Sequence, residues 1–334
     1  MKIDLAAVRT ATEHITGAWR AQALYTAVKL RLPDHIASGH TTDRELARAA
    51  GTDEVAVQRL MRLLVAMKVF EGNGTSGYRN TPVSVVLSDQ PGSMRDMCLL
   101  HGEEYYAAWA HAFEAITTQR SGFELAFGMP FYAGMGQNKD LSDRFQSALK
   151  AGNGFFDYVP EVFDFSGKHV VDIAGGTGEL LSVILAASPG SRGTLLDREH
   201  VVAPVREGLR AEWGAQRVAV VGADMFDGVP HGGDVYVLSR VFAGHSDEAV
   251  TLLLKDVRQA MGAPDARLVI LDRFLVDEDS ALVPAMWDLH LLMMVGGGHR
   301  TLATLHTLLD QAGLTVERTA ELPMDYTATI VSAR

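Results

Sequence analysis

The chain has 334 residues, of which 47% are hydrophobic and 21% are charged, and this composition suits two globular domains with sizeable cores. A formal net charge of −11 at pH 7 argues against nucleic acid and anionic membranes as partners, because both repel an acidic surface. One cysteine, Cys98, excludes an internal disulfide, and the lack of a secretory signal pattern or a long apolar run predicts a cytoplasmic protein.

The first hundred residues follow a winged-helix pattern. Apolar residues recur at helical spacing over 4–32, and Pro33 is a natural end for this helix. Two shorter helices are predicted over 43–50 and 53–67, with Thr42 and Thr52 as their N-terminal caps. A glycine-rich turn between two extended runs then predicts a small hairpin: Val69-Phe70, Gly72-Asn73-Gly74 and Tyr78-Arg79.

Residues 84–158 are helical in character and rich in methionine and aromatic residues, which we interpret as core packing. Within them, glycines and Pro130 predict a loop over 128–136. After about 160, short strand-like runs alternate with helical stretches, which predicts an α/β fold with a doubly wound, mostly parallel sheet. The predicted strands are His169–Ile173, Gly193–Leu196, Val218–Val221, Val235–Leu238, Arg267–Leu271 and Ala328–Val331.

The first of these strands leads into a glycine-rich loop and then a helix. Gly175, Gly176 and Gly178 let the backbone turn tightly and approach a ligand closely, although a plain strand-to-helix turn needs the same residues. Asp197 ends the next strand, about 20 residues on, where an acid can bind ribose hydroxyls. An NAD site is the rival interpretation, but its usual G-x-G-x-x-G spacing is absent.

Two further strands end in residues that suit the same ligand. Asp224 can accept a hydrogen bond from an adenine amino group, and Met225 and Phe226 can pack on the ring. Ser239 ends the fourth strand at the same edge of the sheet, where ligands of such sheets bind.

Together these features resemble the plant-type, caffeate O-methyltransferase-like family of S-adenosylmethionine (SAM)-dependent enzymes of bacterial specialised metabolism. The resemblance covers nearly the whole chain and includes the late motif Gly-Gly-Gly-His-Arg-Thr over 296–301. It implies the class I SAM-dependent methyltransferase fold, an intertwined homodimer and a small-molecule substrate. The implied domains are a helical, winged-helix-like dimerisation domain over 1–100, a helical substrate-pocket linker over 101–160 and a SAM-binding Rossmann-like domain over 161–334. The candidate SAM-binding residues are Asp172, Gly175, Gly176, Gly178, Asp197, Asp224, Met225, Phe226 and Ser239.

The sequence departs from this family where the chemistry takes place. The family has a His-Asp pair after the fourth strand, and this chain has Ala243 and Gly244 there. His299 replaces the later acid that orients the family's base, and Ser239 replaces a common lysine. Because alanine cannot take a proton, the base has moved, the substrate needs none, or the reaction differs.

Three histidines are the candidate catalytic residues: His245, His290 and His299. We expect them to converge on the acceptor pocket, with His245 and His290 as ligands of a divalent zinc or iron ion and His299 as a base. Gly244-His245 resembles a branch of the family that C-methylates 2-oxo acids with the help of a metal, although Ser246 stands where that branch has an aspartate. Each histidine also fits an ordinary role in a loop or helix.

The favoured function is therefore SAM-dependent C-methylation next to the carbonyl of a 2-oxo acid in specialised metabolism, such as antibiotic biosynthesis. One alternative is O-methylation of a small hydroxyl or phenol acceptor. Another is a SAM-binding enzyme that no longer transfers a methyl group. A DNA-binding regulator is disfavoured, because the second helix of the winged motif starts with Asp53 and Glu54, which would face phosphates.

Overall fold

The structure is a computed structural model that describes residues 3–276 and 281–334. Contacts between residues divide the chain into two compact units, Met1–Asn153 and Gly154–Arg334. Most of the segment expected as a separate linker, 101–160, therefore groups with the first unit.

The first unit consists of helices and one antiparallel hairpin, β1–β2, in which Phe70 faces Asn80. The predicted hairpin is thus confirmed. The elements are α1 (Leu5–Ile15), α2 (Gly17–Lys29), α3 (Leu32–Ala37), α4 (Asp43–Ala50), α5 (Glu54–Ala66), β1 (Phe70–Asn73), β2 (Gly77–Asn80), α6 (Pro82–Val85), α7 (Arg95–Gly102), α8 (Glu104–Trp109), α9 (Ala112–Thr118), α10 (Gly122–Phe127), α11 (Phe131–Gln137) and α12 (Lys139–Ala151).

Local capping explains where several of these helices begin. The hydroxyl of Thr42 accepts a hydrogen bond from the Glu45 amide, and the Glu45 carboxylate accepts from the Thr42 amide, so α4 begins with the predicted capping box. The cap of α5 is Asp53 rather than the predicted Thr52, because the Asp53 carboxylate accepts from the Ala56 amide at 2.9 Å.

The prediction of one continuous helix over 4–32 is wrong, because the segment is divided among α1, α2 and the start of α3. Thr16 ends α1, and Arg31 takes a left-handed conformation with φ of 55° immediately before α3. Apolar spacing alone does not reveal these two breaks, because the side chains keep a helical period across them.

The loop predicted over 128–136 is confirmed over 128–130 but wrong from Phe131 onward, where α11 begins. Phe131 is buried, and its ring lies 5.1 Å from the rings of both Phe123 and Phe145. This aromatic packing outweighs the low helix propensity of Gly134 and Gly136.

The second unit has a seven-stranded sheet with helices. Its elements are α13 (Val159–Val162), β3 (His169–Ile173), α14 (Glu179–Ala187), β4 (Arg192–Asp197), α15 (Glu199–Val202), α16 (Arg206–Trp213), β5 (Val218–Gly222), β6 (Val235–Ser239), α17 (Asp247–Ala260), β7 (Arg267–Asp272), β8 (Phe274–Leu275), α18 (Leu282–Val295), β9 (Arg300–Thr301), α19 (Leu302–Gln311), β10 (Leu314–Leu322) and β11 (Tyr326–Ala333). Short 3-10 turns cover Phe156–Tyr158 and Phe242–Gly244.

The strand order is β10-β11-β7-β6-β3-β4-β5. The five strands from β3 to β7 are parallel to their neighbours, and β11 and β10 add an antiparallel edge. The predicted doubly wound sheet is confirmed. The sequence prediction missed β10, whose middle is exposed and polar and so lacks a strand-like apolar run.

Both faces of the sheet are buried, as the alternation along β6 shows. Tyr236 and Leu238 pack into one hydrophobic cluster, with α17 and α19, while Val235 and Val237 pack into the other, with α14. Among the helices that the structure describes, none has both the length and the apolar character needed to cross a membrane.

The order of the strands determines where a ligand can bind. After β3 the chain adds β4 and β5 on one side, then returns to place β6 and β7 on the other side. The carboxyl ends of β3 and β6 therefore flank the topological switch point, where open α/β sheets bind ligands.

Candidate active site

The loop between β3 and α14 depends on unusual backbone angles. Gly176 and Gly178 have φ values of 61° and 81°, and Ala174 has φ of 54°, which non-glycine residues rarely adopt. A Cβ atom at Gly175 would lie 2.4 Å from Asp172 Cγ, so no larger residue fits there. The loop therefore offers bare backbone at the carboxyl end of β3, as close approach to a ligand requires.

Asp172 is a fully buried carboxyl group beneath this loop. Neither of its oxygens has a hydrogen-bond partner of normal geometry among the described residues. Burial raises its pKa to about 7, and the negative charge of Asp197 adds to the rise. An ionised Asp172 would be strained in this setting, and a nearby positive charge would relieve it.

Asp197, the last residue of β4, ties that strand to the glycine loop. Its Oδ2 atom accepts a hydrogen bond from the Gly176 amide at 2.8 Å, and its Oδ1 atom accepts from the Arg198 amide at 2.7 Å. Each carboxylate oxygen can accept a further hydrogen bond. The carboxylate therefore lies at the mouth of the loop with capacity left for a ligand.

The residues predicted to bind adenine lie together with His245. Asp224 accepts a hydrogen bond from the Phe226 amide at 3.0 Å, and its other oxygen lies 3.4 Å from an Arg198 nitrogen. The rings of Phe226 and His245 meet edge to face, 5.1 Å apart. Met225 packs, partly buried, against the core cluster of Tyr236. Burial, aided by Arg198, lowers the pKa of His245, so its imidazole is neutral at pH 7.

At the carboxyl end of β6, Ser239 and Arg240 stand side by side. The Ser239 hydroxyl is buried without a hydrogen-bond partner in the described part of the chain, which indicates a place for a polar ligand group. Arg240 has a left-handed φ of 57°, and its amide donates to the Leu271 carbonyl at 2.9 Å. Its guanidinium carbon lies 5.3 Å from the centre of the Phe156 ring.

The loop that carries Ala243 and Gly244 is contacted by the glycine run that follows α18. The Ala243 carbonyl accepts a hydrogen bond from the Gly298 amide at 3.2 Å. A Cβ atom at Gly297 would lie 2.0 Å from that carbonyl oxygen, so the glycine run and this loop are in close contact. Neither residue 243 nor residue 244 has a side chain that can move a proton.

Arg300 fixes the same loop through three hydrogen bonds. It donates to the carbonyls of Phe242 and His245 at 2.8 and 2.7 Å, and to the Asp247 carboxylate at 2.7 Å. Asp247 is thus engaged with a guanidinium, and the Ser246 hydroxyl caps α17 by accepting from the Ala249 amide.

His299 lies against two carboxyl groups. Its amide donates to Asp288 at 2.6 Å, and its Nδ1 atom lies 3.8 Å from Asp272 Oδ1. Burial, with help from the charge of Arg273, lowers the pKa of His299 to about 4. Burial also raises the pKa of Asp272 to about 6. At pH 7 the site therefore holds a neutral imidazole beside a buried carboxyl group.

The predicted metal site at His245 and His290 gains no support. His290 is buried on α18, where its ring lies 5.4 Å from that of Trp287. No group of three or more His, Cys, Asp or Glu side chains is arranged to hold a metal ion within residues 3–276 and 281–334.

Three charged residues of this site are absent from the sequence-based hypothesis: Arg240, Asp272 and Arg273. Asp272 is the last residue of β7, and Arg240 and Arg273 directly follow β6 and β7, at the edge where Asp197 also lies. The rule that singled out Asp197, a charged residue at the carboxyl end of a parallel strand, would have found them too.

Comparison with known proteins agrees with this architecture. A family model described as an O-methyltransferase domain matches residues 109–315, and one described as an O-methyltransferase dimerisation domain matches residues 12–89. Over 332 residues, the chain is 44% identical to phenazine-1-carboxylate N-methyltransferase of Pseudomonas aeruginosa. The alignment covers 99% of this chain and 98% of that relative.

Two further similarities extend the comparison. Over 321 residues, the chain is 38% identical to 3-amino-4-hydroxybenzoate 4-O-methyltransferase of Streptomyces cremeus, covering 95% of this chain and 88% of the relative. The solved structure of the pyocyanin biosynthetic protein PhzM matches with a TM-score of 0.90 at 41% identity, covering 99% of this chain and 100% of that one. The two curated relatives are named for nitrogen or oxygen methylation, so the favoured C-methylation of a 2-oxo acid finds no support among them. The chain belongs to the O-methyltransferase family and is a SAM-dependent methyltransferase, with the class I fold and an N-terminal helical dimerisation domain.

Proposed function

We propose that the glycine loop and the strand ends around it hold SAM. Asp197 accepts hydrogen bonds from the ribose hydroxyls, and Asp224, Met225, Phe226 and His245 surround the adenine. Asp172, Gly175, Gly176, Gly178 and Ser239 receive the methionine portion. When bound, SAM supplies an electrophilic methyl group on a positively charged sulfur.

The charge of the site supports this assignment. Asp172 and Asp197 are close enough for one to raise the pKa of the other, so a cationic ligand is stabilised there. SAM carries positive charge on its sulfonium and ammonium groups. The rival NAD would bring an anionic pyrophosphate to the same carboxylates, which is unfavourable.

The acceptor, we infer, is a small planar aromatic metabolite that is methylated on a ring nitrogen. The observation that carries this proposal is the pair Ala243 and Gly244, which occupies the place of the family's base. A ring nitrogen with a lone pair needs no base, because it releases no proton when it gains a methyl group. The relative named for N-methylation of phenazine-1-carboxylate supports the same class of acceptor.

O-methylation remains the second candidate because of His299. Its imidazole is neutral and lies beside the buried carboxyl of Asp272, an arrangement that can accept a proton from a hydroxyl. With a pKa of only about 4, however, His299 is a weak base, which favours the nitrogen acceptor.

The first unit, we propose, forms a homodimer. Helix α1 has no buried residue, and four large apolar side chains on α1 and α2 are exposed: Leu5, Val8, Ile15 and Trp19. Exposed apolar surface of this kind marks an interaction site. The occupant is a second copy of the chain, because residues 12–89 match a dimerisation domain.

Replacing Asp197 should weaken binding of S-adenosylhomocysteine. Asp197→Ala removes acceptors for the ribose and for the Gly176 amide, and the expected loss is about 1–3 kcal/mol by isothermal titration calorimetry. Asp197→Asn keeps one acceptor oxygen and should fall between wild type and alanine. Asp265→Ala, at an exposed position before β7, is the control. Equal affinity of Asp197→Ala and wild type for S-adenosylhomocysteine would show that Asp197 does not bind this ligand.

Replacing Asp172 should make the SAM-free protein more stable and the SAM complex weaker. The folded-state pKa of about 7 lies above the ordinary value of 3.8 for an aspartate, so ionisation of Asp172 destabilises the fold. This cost is absent below about pH 4, grows as the pH rises, and is complete above about pH 7. Asp172→Asn should therefore raise the melting temperature more at pH 8 than at pH 5, while lowering affinity for SAM at pH 8.

The control for this experiment is Asp265→Asn, because residue 265 is exposed in the folded protein. A melting temperature for Asp172→Asn that rises equally at both pH values would show that ionisation of Asp172 is not the cause. Unchanged SAM affinity in Asp172→Asn would contradict the proposal that the charge of Asp172 stabilises the positive charge of SAM.

Phenazine-1-carboxylate should be methylated on nitrogen, with a rate at saturating SAM that is nearly flat between about pH 6.5 and 8.5, because no ionisable base takes part. His299→Gln should keep its activity within about threefold. An oxygen acceptor would instead lose about 10²- to 10⁴-fold without its base. Mass spectrometry and NMR of the product distinguish N- from O-methylation. Methylation only of phenols, with a steep loss in His299→Gln, would establish the second candidate.

The purified protein should have the mass of two chains by light scattering at micromolar concentration. Ile15→Glu combined with Trp19→Glu places charges on the exposed apolar face and should yield monomers. Leu252→Glu, an exposed apolar position on α17 of the second unit, should leave the dimer intact. A wild-type protein with the mass of one chain would contradict the proposal.

A further inference from the structure

Arg273 follows β7 directly, at the same edge of the sheet as the glycine loop. Its Nε atom donates a hydrogen bond to the Met324 carbonyl at 3.2 Å. Its guanidinium carbon lies 4.0 Å from the centre of the Tyr326 ring and 5.3 Å from that of Trp287. The guanidinium is therefore positioned by a backbone oxygen and by aromatic rings.

The platform under Arg273 is rigid. The rings of Tyr326 and Phe155 are stacked, with centres 3.8 Å apart and planes 17° from parallel. Two groups cannot both lie within about 4 Å of one face of a ring centre, so Arg273 covers the opposite face of Tyr326. Both rings are buried, at 4% and 0% exposure, and cannot swing away with the arginine.

The two terminal nitrogens of Arg273 form no hydrogen bond or ion pair with any residue that the structure describes, and neither of them is a fully buried atom. Other arginines of this unit do have carboxylate partners. Arg300 pairs with Asp247 at 2.7 Å, and Arg267 pairs with Glu317 at 3.0 Å. Arg273 thus has a partly buried, oriented fork of donors that no side chain or backbone oxygen within residues 3–276 and 281–334 engages.

Burial lowers the pKa of Arg273, and the positive charge of Arg240 adds to this effect, against opposing contributions from Tyr326, Asp325 and Asp272. Two guanidinium groups are thus close enough to repel each other. Asp272, with a pKa raised to about 6 by burial, is a single carboxyl group that acts on both guanidiniums. A bound anion would relieve the repulsion between the two guanidiniums.

We propose that Arg273 binds a carboxylate group of the aromatic acceptor through its two terminal nitrogens. The fork of a guanidinium matches the two oxygens of a carboxylate, which gives orientation as well as affinity. Arg273 also acts electrostatically on His299, so the bound carboxylate lies near the loop of Ala243. Arg273 then determines specificity: it selects arenes that bear a carboxylate and directs one ring position toward the methyl donor. This inference rests on the proposed aromatic acceptor.

The test compares binding of phenazine-1-carboxylate with that of its neutral carboxamide, using protein saturated with S-adenosylhomocysteine and following tryptophan fluorescence. Arg273→Gln should weaken carboxylate binding by roughly 10- to 100-fold, as loss of hydrogen bonds to a charged group does, and change carboxamide binding much less. Arg273→Lys keeps the charge without the fork and should recover only part of the affinity. Arg192→Gln, an exposed arginine at the start of β4, is the matched control.

Calorimetry with S-adenosylhomocysteine on each variant shows whether the site is otherwise intact, and equal affinity is expected. Equal weakening of carboxylate and carboxamide in Arg273→Gln, or no weakening of either, would overturn the proposal. Failure of the proposed function looks different. In that case wild-type protein forms no N-methyl product, while the preference for carboxylate over carboxamide, and its loss in Arg273→Gln, is still measured in the binding experiment.

Discussion

The hydrogen bond from the Gly176 amide to Asp197 joins the two strands on which the site depends. It connects the loop after β3 to the last residue of β4, so the glycine loop is fixed relative to the sheet rather than only to its own strand. The loop in turn covers Asp172, whose carboxyl group leaves no room for a side chain at residue 175. The backbone angles, the buried acid and the strand ends are therefore parts of one arrangement, and a change in any of them alters the others.

Charge is distributed unevenly along this edge of the sheet, although Asp272 lies among the arginines at the end of β7 and Arg198 lies 3.4 Å from Asp224. Acidic groups lie around the ends of β3, β4 and β5, where Asp172, Asp197 and Asp224 are found. Guanidinium groups, those of Arg240 and Arg273, lie at the ends of β6 and β7. Such a distribution of charge favours a cationic ligand beside the carboxylates of β3 and β4 and an anionic ligand beside the guanidiniums of β6 and β7.

The sequence alone predicts the sheet well because buried parallel strands are almost continuously apolar, as in Arg267–Asp272 and Val235–Ser239. It fails for β10, which lies at the edge and is polar, and for α11, whose glycines conceal a helix held by aromatic contacts. At the site, glycine spacing and Asp197 follow from local rules. The surroundings of His245 do not, because they depend on residues about twenty positions away in the chain, Asp224 and Phe226. The environment of Arg273 depends likewise on Tyr326 and Phe155, which meet only in the fold.

Arg300 holds the backbone on both sides of residues 243 and 244 without touching their side chains. These two hydrogen bonds consequently do not depend on which side chains occupy those two positions. A lineage could exchange a proton-accepting histidine for alanine there, or restore it, while the surrounding chain keeps its path. Arg300 therefore stabilises this part of the backbone with hydrogen bonds that either residue type leaves in place, whether or not it can accept a proton.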